Sequence, residues 1–116
     1  MRRSADYQQT VRRGARGGRD TLVVHLAIST DPGPPAVGLV VSRAVGNAVV
    51  RNRVKRRLRA LVTDRLGTMP EGARIVVRAQ PPSAGATFAE LGHDLDGAMS
   101  TAVRRGARRP KDRAGS

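Results

Sequence analysis

Hydrophobic residues at every second position predict a first β-strand from Thr21 to Ser29. The strongly buried face of this strand is expected to carry Leu22, Val24, Leu26 and Ile28. The DPGPP segment at 31–35 excludes regular structure, and a second, more fully apolar strand then runs from Ala36 to Ser42. The order of these two segments predicts that they pair with each other as a hairpin with a long loop.

A third strand is predicted from Ala73 to Ala79. Ile75 and Val77 share one face of this strand, whereas Arg74 and Arg78 lie on the opposite face. Arginine at these positions indicates that one side of the sheet is an open, basic surface.

Spacings of three and four between hydrophobic residues predict two amphipathic helices. The first helix runs from Ala48 to Leu66, with Asn47 as N-cap and Gly67 as its stop. Its apolar positions are Val50, Val54, Leu58, Leu61, Val62 and Leu66. The second helix begins at a capping box formed by Thr87 and Glu90. Its core side is expected to carry Phe88, Leu91, Leu95, Ala98, Met99 and Ala102, and Gly92 and Gly97 are expected to weaken it by up to about 1 kcal/mol each.

The ends of the chain have weaker patterns. A short helix is predicted from Ser4 to Gly14, with Tyr7 and Val11 on one face. The glycine-rich segment 14–20 (GARGGRD) is predicted to be a mobile basic loop, and disorder is predicted from Arg104 onward. We therefore expect a single domain over residues 1–106, followed by a basic disordered tail at 107–116.

The charge balance indicates a polyanionic partner. The chain has 22 Lys and Arg against 9 Asp and Glu, a net charge of +13, and such self-repulsion is typical of nucleic-acid-binding proteins. A membrane is the competing polyanion, but no apolar run reaches the roughly 20 residues that a spanning helix needs. Residues 1–6 lack the apolar stretch of a secretory signal, and cysteine is absent. These features predict a cytoplasmic protein.

The sequence offers little for catalysis by the protein itself. A nuclease needs clustered carboxylates for metal ions or a histidine pair for proton transfer, and the two histidines, His25 and His93, lie in different elements. Aromatic residues make up 2% of the chain, so base stacking is not expected to dominate binding. We predict no catalytic residue and no protein-bound metal or other cofactor.

The strongest candidate site is a run of six cations in nine residues between Arg51 and Arg59. On the predicted helix these cations occupy the part of the surface that the apolar stripe leaves free. A helix face that is merely solvated usually mixes charges of both signs, and the run from Arg51 to Arg59 has no acid. Arginine donates two parallel hydrogen bonds to a phosphate, which indicates binding to a nucleic-acid backbone.

These residues resemble the protein subunit of bacterial ribonuclease P. The matching positions are Val37-Gly38-Leu39, Val41-Ser42-Arg43, Gly46-Asn47-Ala48-Val49, Arg51-Asn52-Arg53-Val54-Lys55-Arg56 and Leu58-Arg59. The order of elements also agrees, from about Ser4 to Gly106. The resemblance implies a two-layer α/β (α+β) sandwich of order α-β-β-α-β-α, similar to a ribosomal protein. In it the basic helix joins two parallel neighbouring strands by a left-handed crossover, although right-handed connections are the general rule.

The resemblance also implies a function. The protein would bind the catalytic RNA of ribonuclease P and the 5′ leader of precursor tRNA, and it would assist the RNA in hydrolysing one phosphodiester to give a mature 5′ end. Magnesium would act on the RNA, and the chain would be the accessory subunit of this endonuclease. The implied RNA-binding residues are Ser42, Arg43, Arg51, Asn52, Arg53, Lys55, Arg56 and Arg59.

The leader groove departs from the family pattern. Relatives use aromatic residues at the positions of Tyr7, Val11 and His25. This chain keeps the aromatic ring of Tyr7, and it has an aliphatic side chain at Val11 and an imidazole at His25. Tyr7 and Val11 are equally consistent with core positions, and His25 with a polar ring on a half-exposed strand. Ala44 stands where many relatives have lysine.

Two other classes share the charge and size of this chain. A ribosomal or other structural RNA-binding protein would also carry a cationic helix, but the ordered Gly46–Arg53 motif favours ribonuclease P. A DNA-binding domain would place the basic helix in a major groove and is typically helical around it, whereas strands flank the helix here. We therefore expect RNA partners, with neither DNA nor a membrane.

Overall fold

The computed structural model describes residues 14–29 and 33–108, with side chains to Gly106. The elements are β1 (Ala15–Gly18), β2 (Leu22–Ile28), β3 (Ala36–Val40), α1 (Ala48–Arg65), β4 (Ala73–Ala79) and α2 (Phe88–Arg108), with 3₁₀ helices at Leu66–Thr68 and Pro81–Gly85. The predicted N-terminal helix, with Tyr7 and Val11, lies outside the described residues. None of the helices in the described part is long and apolar enough to cross a membrane.

The four strands form one sheet in the order β1-β2-β4-β3. β2 pairs antiparallel with both β1 and β4, whereas β3 and β4 are parallel and are joined through α1. The predicted hairpin between the first two hydrophobic strands is therefore wrong. β4 lies between them, with Ile75, Val76 and Val77 fully buried, while every residue of β3 is half-buried at the sheet edge. The hand of the crossover stays a prediction.

The segment predicted as a mobile loop at 14–20 contains strand β1, and that prediction is wrong. Ala15 pairs with Leu26 and Gly18 with Val23. Gly17 has a packing role, because a Cβ atom at this position would lie 2.1 Å from the carbonyl oxygen of Ala98 in α2. Glycine here indicates a close approach between a strand and a helix, not flexibility.

Both helices pack on the same face of the sheet. The shared core contains Leu22, Val24 and Leu26 of β2, Ile75 and Val77 of β4, Val54, Leu58, Leu61 and Val62 of α1, and Leu91, Leu95, Ala98, Met99 and Ala102 of α2. The apolar stripes of both predicted helices are thus confirmed, as are the N-cap at Asn47 and the capping box of Thr87 and Glu90.

Four details of the prediction are wrong. Ile28, the last residue of β2, is 57% exposed. Phe88 is 48% exposed because α2 begins there and its first core position is Leu91. The second predicted strand ends at Val40, two residues early. Helix α2 continues through Arg104 to Arg108, so this part of the predicted disordered end is helical.

Candidate nucleic-acid interface

The start of α1 is fixed by backbone and side-chain contacts. The Asn47 side chain accepts a hydrogen bond from the amide of Val50 at 3.0 Å, and the Arg51 Nε donates to the carbonyl of Gly46 at 3.2 Å. A Cβ atom on Gly46 would lie 2.9 Å from the Cβ of Val50, so glycine is required for this entry into the helix. The Gly-Asn pair of the motif therefore has a structural role.

The exposed side of α1 carries Asn52, Arg56 and Arg59, which lie opposite the buried residues. Arg51 and Lys55 follow one flank of this side and are half-buried. No Asp or Glu occurs between Ala48 and Thr63. The helix thus presents a continuous cationic surface on a rigid apolar base, as its periodicity predicts.

The other flank of α1 is used within the fold. The Arg53 Nη2 donates to the carbonyl of Ala84 at 3.1 Å, and the Arg57 Nη1 donates to the carbonyl of Ala86 at 3.0 Å. These two arginines, four positions apart, hold the 3₁₀ helix Pro81–Gly85 against α1. Arg53 is a predicted RNA contact that also has this internal role, and nothing in the sequence indicates which carbonyls it meets.

Ser42 and Arg43 lie in the turn that leads from β3 into α1, and both are exposed. The amide of Val45 donates to the carbonyl of Ser42 at 3.1 Å, and the amide of Gly46 donates to that of Arg43 at 3.2 Å. Val45 is buried and anchors the turn. The structure therefore brings both residues to the N-terminal end of the cationic helix. Ala44 is exposed beside them.

The face of the sheet away from the described helices carries the second candidate surface. Arg16 of β1 pairs in register with His25 of β2, and His25 with Val76 of β4. Arg74 and Arg78 flank Val76 on the same face, so the predicted basic character is confirmed, whereas the predicted openness is wrong at the centre of the face. Arg16 and Arg78 are exposed and Arg74 is half-buried, whereas Val76 is fully buried. The face is thus cationic around a buried centre.

His25 is buried, with 5% of its surface exposed, and the half-exposed position expected for it is wrong. Within the described residues, neither ring nitrogen has a hydrogen-bond partner. Burial lowers the pKa of His25, and the positive charges of Arg78 and Arg16 lower it further. The imidazole is therefore neutral at neutral pH. Tyr7 and Val11, the other candidates for the groove, lie outside the described residues.

The described residues do not bring the two histidines together. His25 and His93 lie on opposite sides of the sheet, because His93 belongs to α2 and faces a cleft with Asp20, Glu90 and Asp94. Across 14–29 and 33–108, no three Asp, Glu, His or Cys side chains are placed to hold a metal ion.

Comparison with known proteins connects this fold to a family. The model of the family described as Ribonuclease P matches residues 1–103. The ribonuclease P protein component of Kocuria rhizophila is 55% identical over 105 residues, covering 90% of this chain and 92% of the relative. That of Beutenbergia cavernae is 58% identical over 102 residues, covering 87% and 85%.

Solved structures agree with the fold. The ribonuclease P protein of Staphylococcus aureus superposes with a TM-score of 0.78 at 24% identity, covering 86% of this chain and 91% of that protein. The protein from Thermotoga maritima gives 0.73 at 23% identity, covering 90% and 94%. The chain therefore belongs to the ribonuclease P protein family, whose members are RNA-binding components of a tRNA-processing endonuclease.

Proposed function

We propose that this chain binds the catalytic RNA of bacterial ribonuclease P through the exposed side of α1. The observation that carries the proposal is the cationic surface of Asn52, Lys55, Arg56 and Arg59, which has no acidic neighbour on the helix as far as Thr63. Four buried residues on the opposite side, Val54, Leu58, Leu61 and Val62, hold this surface in place. A surface that is rigid before binding loses little conformational entropy when RNA docks.

The chemistry of these side chains suits a phosphate backbone. Each guanidinium presents a planar fork of donors to two phosphate oxygens, and each neutralised phosphate releases condensed counterions. Ser42 and Arg43 extend the same surface beyond the N-terminal end of α1. Arg51 and Arg53 contribute their remaining donors from the two flanks. Such contacts position the protein on folded RNA without reading its sequence.

The basic face of the sheet is the proposed site for the 5′ leader of precursor tRNA. Arg16, Arg74 and Arg78 supply positive charge there, and the ring of His25 between them is buried and neutral. Because His25 and Val11 stand where relatives have aromatic rings, leader binding by this chain depends more on charge than on base stacking. We expect weak sequence preference in the leader.

In this proposal the RNA performs the hydrolysis and the protein contributes no catalytic residue. Magnesium ions belong to phosphates of the catalytic RNA, where hard cations find oxygen ligands. The protein neutralises charge between the two RNAs and thereby lowers the magnesium concentration that cleavage requires. The reaction takes place in the cytoplasm.

Reconstitution tests the proposal. The protein is mixed with bacterial ribonuclease P RNA and precursor tRNA at low magnesium, and the cleavage rate is compared with that of the RNA alone. We expect clear stimulation, with release of the leader and a 5′ phosphate on the tRNA. Cleavage at the rate of the RNA alone would contradict the proposal.

A matched pair of variants assigns the stimulation to the exposed side of α1. Arg56 and Arg57 are sequence neighbours with the same charge, but Arg56 is exposed and Arg57 is bonded to the carbonyl of Ala86. Arg56→Gln should weaken binding to the catalytic RNA and reduce its salt dependence, whereas Arg57→Gln should leave both close to wild type. Equal losses in the two variants would mean that net charge, not this surface, determines binding.

A further inference from the structure

A third cationic surface lies at the edge of the sheet farthest from the strand that leads into α1. It is formed by Arg16 and Arg19, in and just after β1, and by Arg105 of α2, and we name it the β1 edge surface. All three residues are exposed. The motif on α1 does not account for this charge, because β1 and β3 are the two opposite edges of the sheet.

Two of the three side chains are fixed by hydrogen bonds. The Arg19 Nη1 donates to the carbonyl of Gly18 at 2.7 Å and its Nη2 to the Thr101 hydroxyl at 3.4 Å. The guanidinium lies on Gly97, where a Cβ atom would be 2.7 Å from the Arg19 Nε. The Arg105 Nη1 donates to the backbone carbonyl of Arg16 at 2.8 Å. The sequence predicts only that Gly97 weakens α2. In the structure, the absence of a side chain at Gly97 leaves room for the Arg19 guanidinium to pack on the helix.

These bonds leave donors for a ligand and leave the charge unpaired. A guanidinium has five N–H donors, and within the described residues Arg19 uses two and Arg105 one. The one ion pair among the residues at 14–29 and 33–108 joins Arg65 to Asp96, on α1 and α2. Asp20 is the single acid in the cleft that Arg16 and Arg19 line. The surface therefore keeps a net positive charge.

The β1 edge surface is continuous with the basic face of the sheet. Arg16 and Arg78 flank His25 from neighbouring strands, and both act on its pKa. Two strand spacings, about 10 Å in total, separate β4 from β1. Positive charge therefore extends from Arg78 across Arg16 and around the sheet edge to Arg19 and Arg105.

We propose that the β1 edge surface binds leader phosphates that lie upstream of those on the sheet face. This inference rests on the proposed function, because it requires the leader to bind the basic face of the sheet. A leader that crosses this face from the α1 side leaves the sheet over β1. The contacts are to phosphates and not to bases, since the one aromatic ring among the described residues, Phe88, lies at the start of α2. The surface therefore favours long leaders regardless of their sequence.

The test compares leader lengths in the reconstituted holoenzyme. One tRNA body carries leaders of about 4 or about 12 nucleotides, a range that matches known single-strand site sizes. We expect wild-type protein to bind the long-leader substrate more tightly. In Arg16→Gln/Arg105→Gln, long-leader affinity should fall about threefold for each arginine, and its salt slope by about 0.7 for each lost contact. Short-leader affinity should fall less, because Arg16 also lies on the sheet face whereas Arg105 does not.

Arg104 provides a matched control, because it is exposed, adjacent to Arg105, and on the other side of α2 beside Arg65 and Met69. Arg16→Gln/Arg104→Gln removes the same charge and should lose only the contribution of Arg16. The inference is overturned if the two double variants lose the same long-leader affinity. It is also overturned if the affinity loss is equal for both leaders, or if wild-type protein binds both substrates with equal affinity. Changing the long leader to a single repeated base should not alter the result.

Two readouts keep the test decisive. Arg16→Gln alone covers the case in which loss of Arg105 unfolds the protein, because the Arg16 side chain makes no hydrogen bond within the described residues. Unchanged long-leader affinity in that variant overturns the inference. If wild-type protein fails to stimulate cleavage, the proposed function itself is wrong. If it stimulates cleavage and the double variant keeps the long-leader advantage, only the β1 edge surface is wrong.

Discussion

The exposed side of α1 and the flank that carries Arg53 and Arg57 have arginines that look alike in the sequence and have different uses in the structure. Arg56 and Arg59 are exposed, whereas Arg53 and Arg57 donate to the carbonyls of Ala84 and Ala86. A further arginine, Arg65, pairs with Asp96 of α2. The difference shows that the number of cations in a basic motif overstates the number available to RNA, because some of them satisfy carbonyls or acids of neighbouring segments.

The largest effect on stability is expected at the buried side of α1, which supports all of its arginines. Leu58 is fully buried beneath them, so Leu58→Ala should lower the free energy of unfolding by about 2–5 kcal/mol. Chemical denaturation measures this change, and Ala60→Ser on the exposed side of α1 is the control. Stability close to wild type in Leu58→Ala would show that α1 is not held by the core that it shares with the sheet and α2.

The exposed side of α1 should determine RNA affinity. Arg56→Gln/Arg59→Gln should weaken binding to the catalytic RNA by about tenfold and lower the salt slope by about 1.4 to 1.8. The free energy of unfolding should stay within about 0.5 kcal/mol of wild type, because both side chains are exposed. A salt series of binding measurements, with thermal unfolding alongside, checks both parts. An unchanged salt slope would refute the assignment of the exposed side of α1 as an RNA-binding surface.

The internal flank should determine local stability instead. Arg57→Gln removes a charged donor from the Ala86 carbonyl, and we expect a loss of about 1 kcal/mol in the free energy of unfolding. Hydrogen exchange should become faster around residues 81–87, which this bond holds. If Arg57→Gln weakens RNA binding as much as Arg56→Gln does, the exposed side of α1 and its internal flank do not differ in RNA binding as the structure indicates.

His25 extends the comparison to the sheet face, where arginines act on a titratable group. Its pKa in the folded protein is below the ordinary 6.5, so the unfolded chain binds the proton first as pH falls. Stability should therefore decrease as pH falls below about 6.5. Denaturation of wild type and His25→Gln between about pH 7 and pH 5 measures the effect, and the difference in slope should disappear if the ring is not buried.

The smallest effect is expected for the ion pair of α1 with α2. Arg65 lowers the pKa of Asp96 mainly through a hydrogen bond, but 61% of the Asp96 side chain is exposed. Asp96→Asn should cost between about 0 and 1 kcal/mol, and less in high salt. Denaturation at two salt concentrations checks this, with Asp64→Asn on the exposed side of α1 as control. A loss well above 1 kcal/mol would mean that this pair resembles the Arg57 bond more than a surface ion pair.

Family membership and the cationic helix follow from the sequence because both depend on local order. Asn47 caps the helix, the apolar stripe has helical spacing, and the cations fill the remaining arc, all within one continuous segment. The groove is different, since its proposed residues come from distant parts of the chain. Of these, Tyr7 and Val11 lie outside the described residues, and the burial of His25 depends on strands that the sequence does not place side by side.

The sequence by itself determined both helices, most of three strands, the cationic side of α1 and the resemblance to ribonuclease P proteins. Only the tertiary structure decided that β4 lies between β2 and β3, because strand pairing joins segments that are distant along the chain. It also decided that segment 14–20 forms a strand, since Gly17 is needed where Ala98 approaches. The division of the α1 arginines depends likewise on carbonyls about 30 residues away along the chain. Periodicity cannot show such contacts, because it describes only one element at a time.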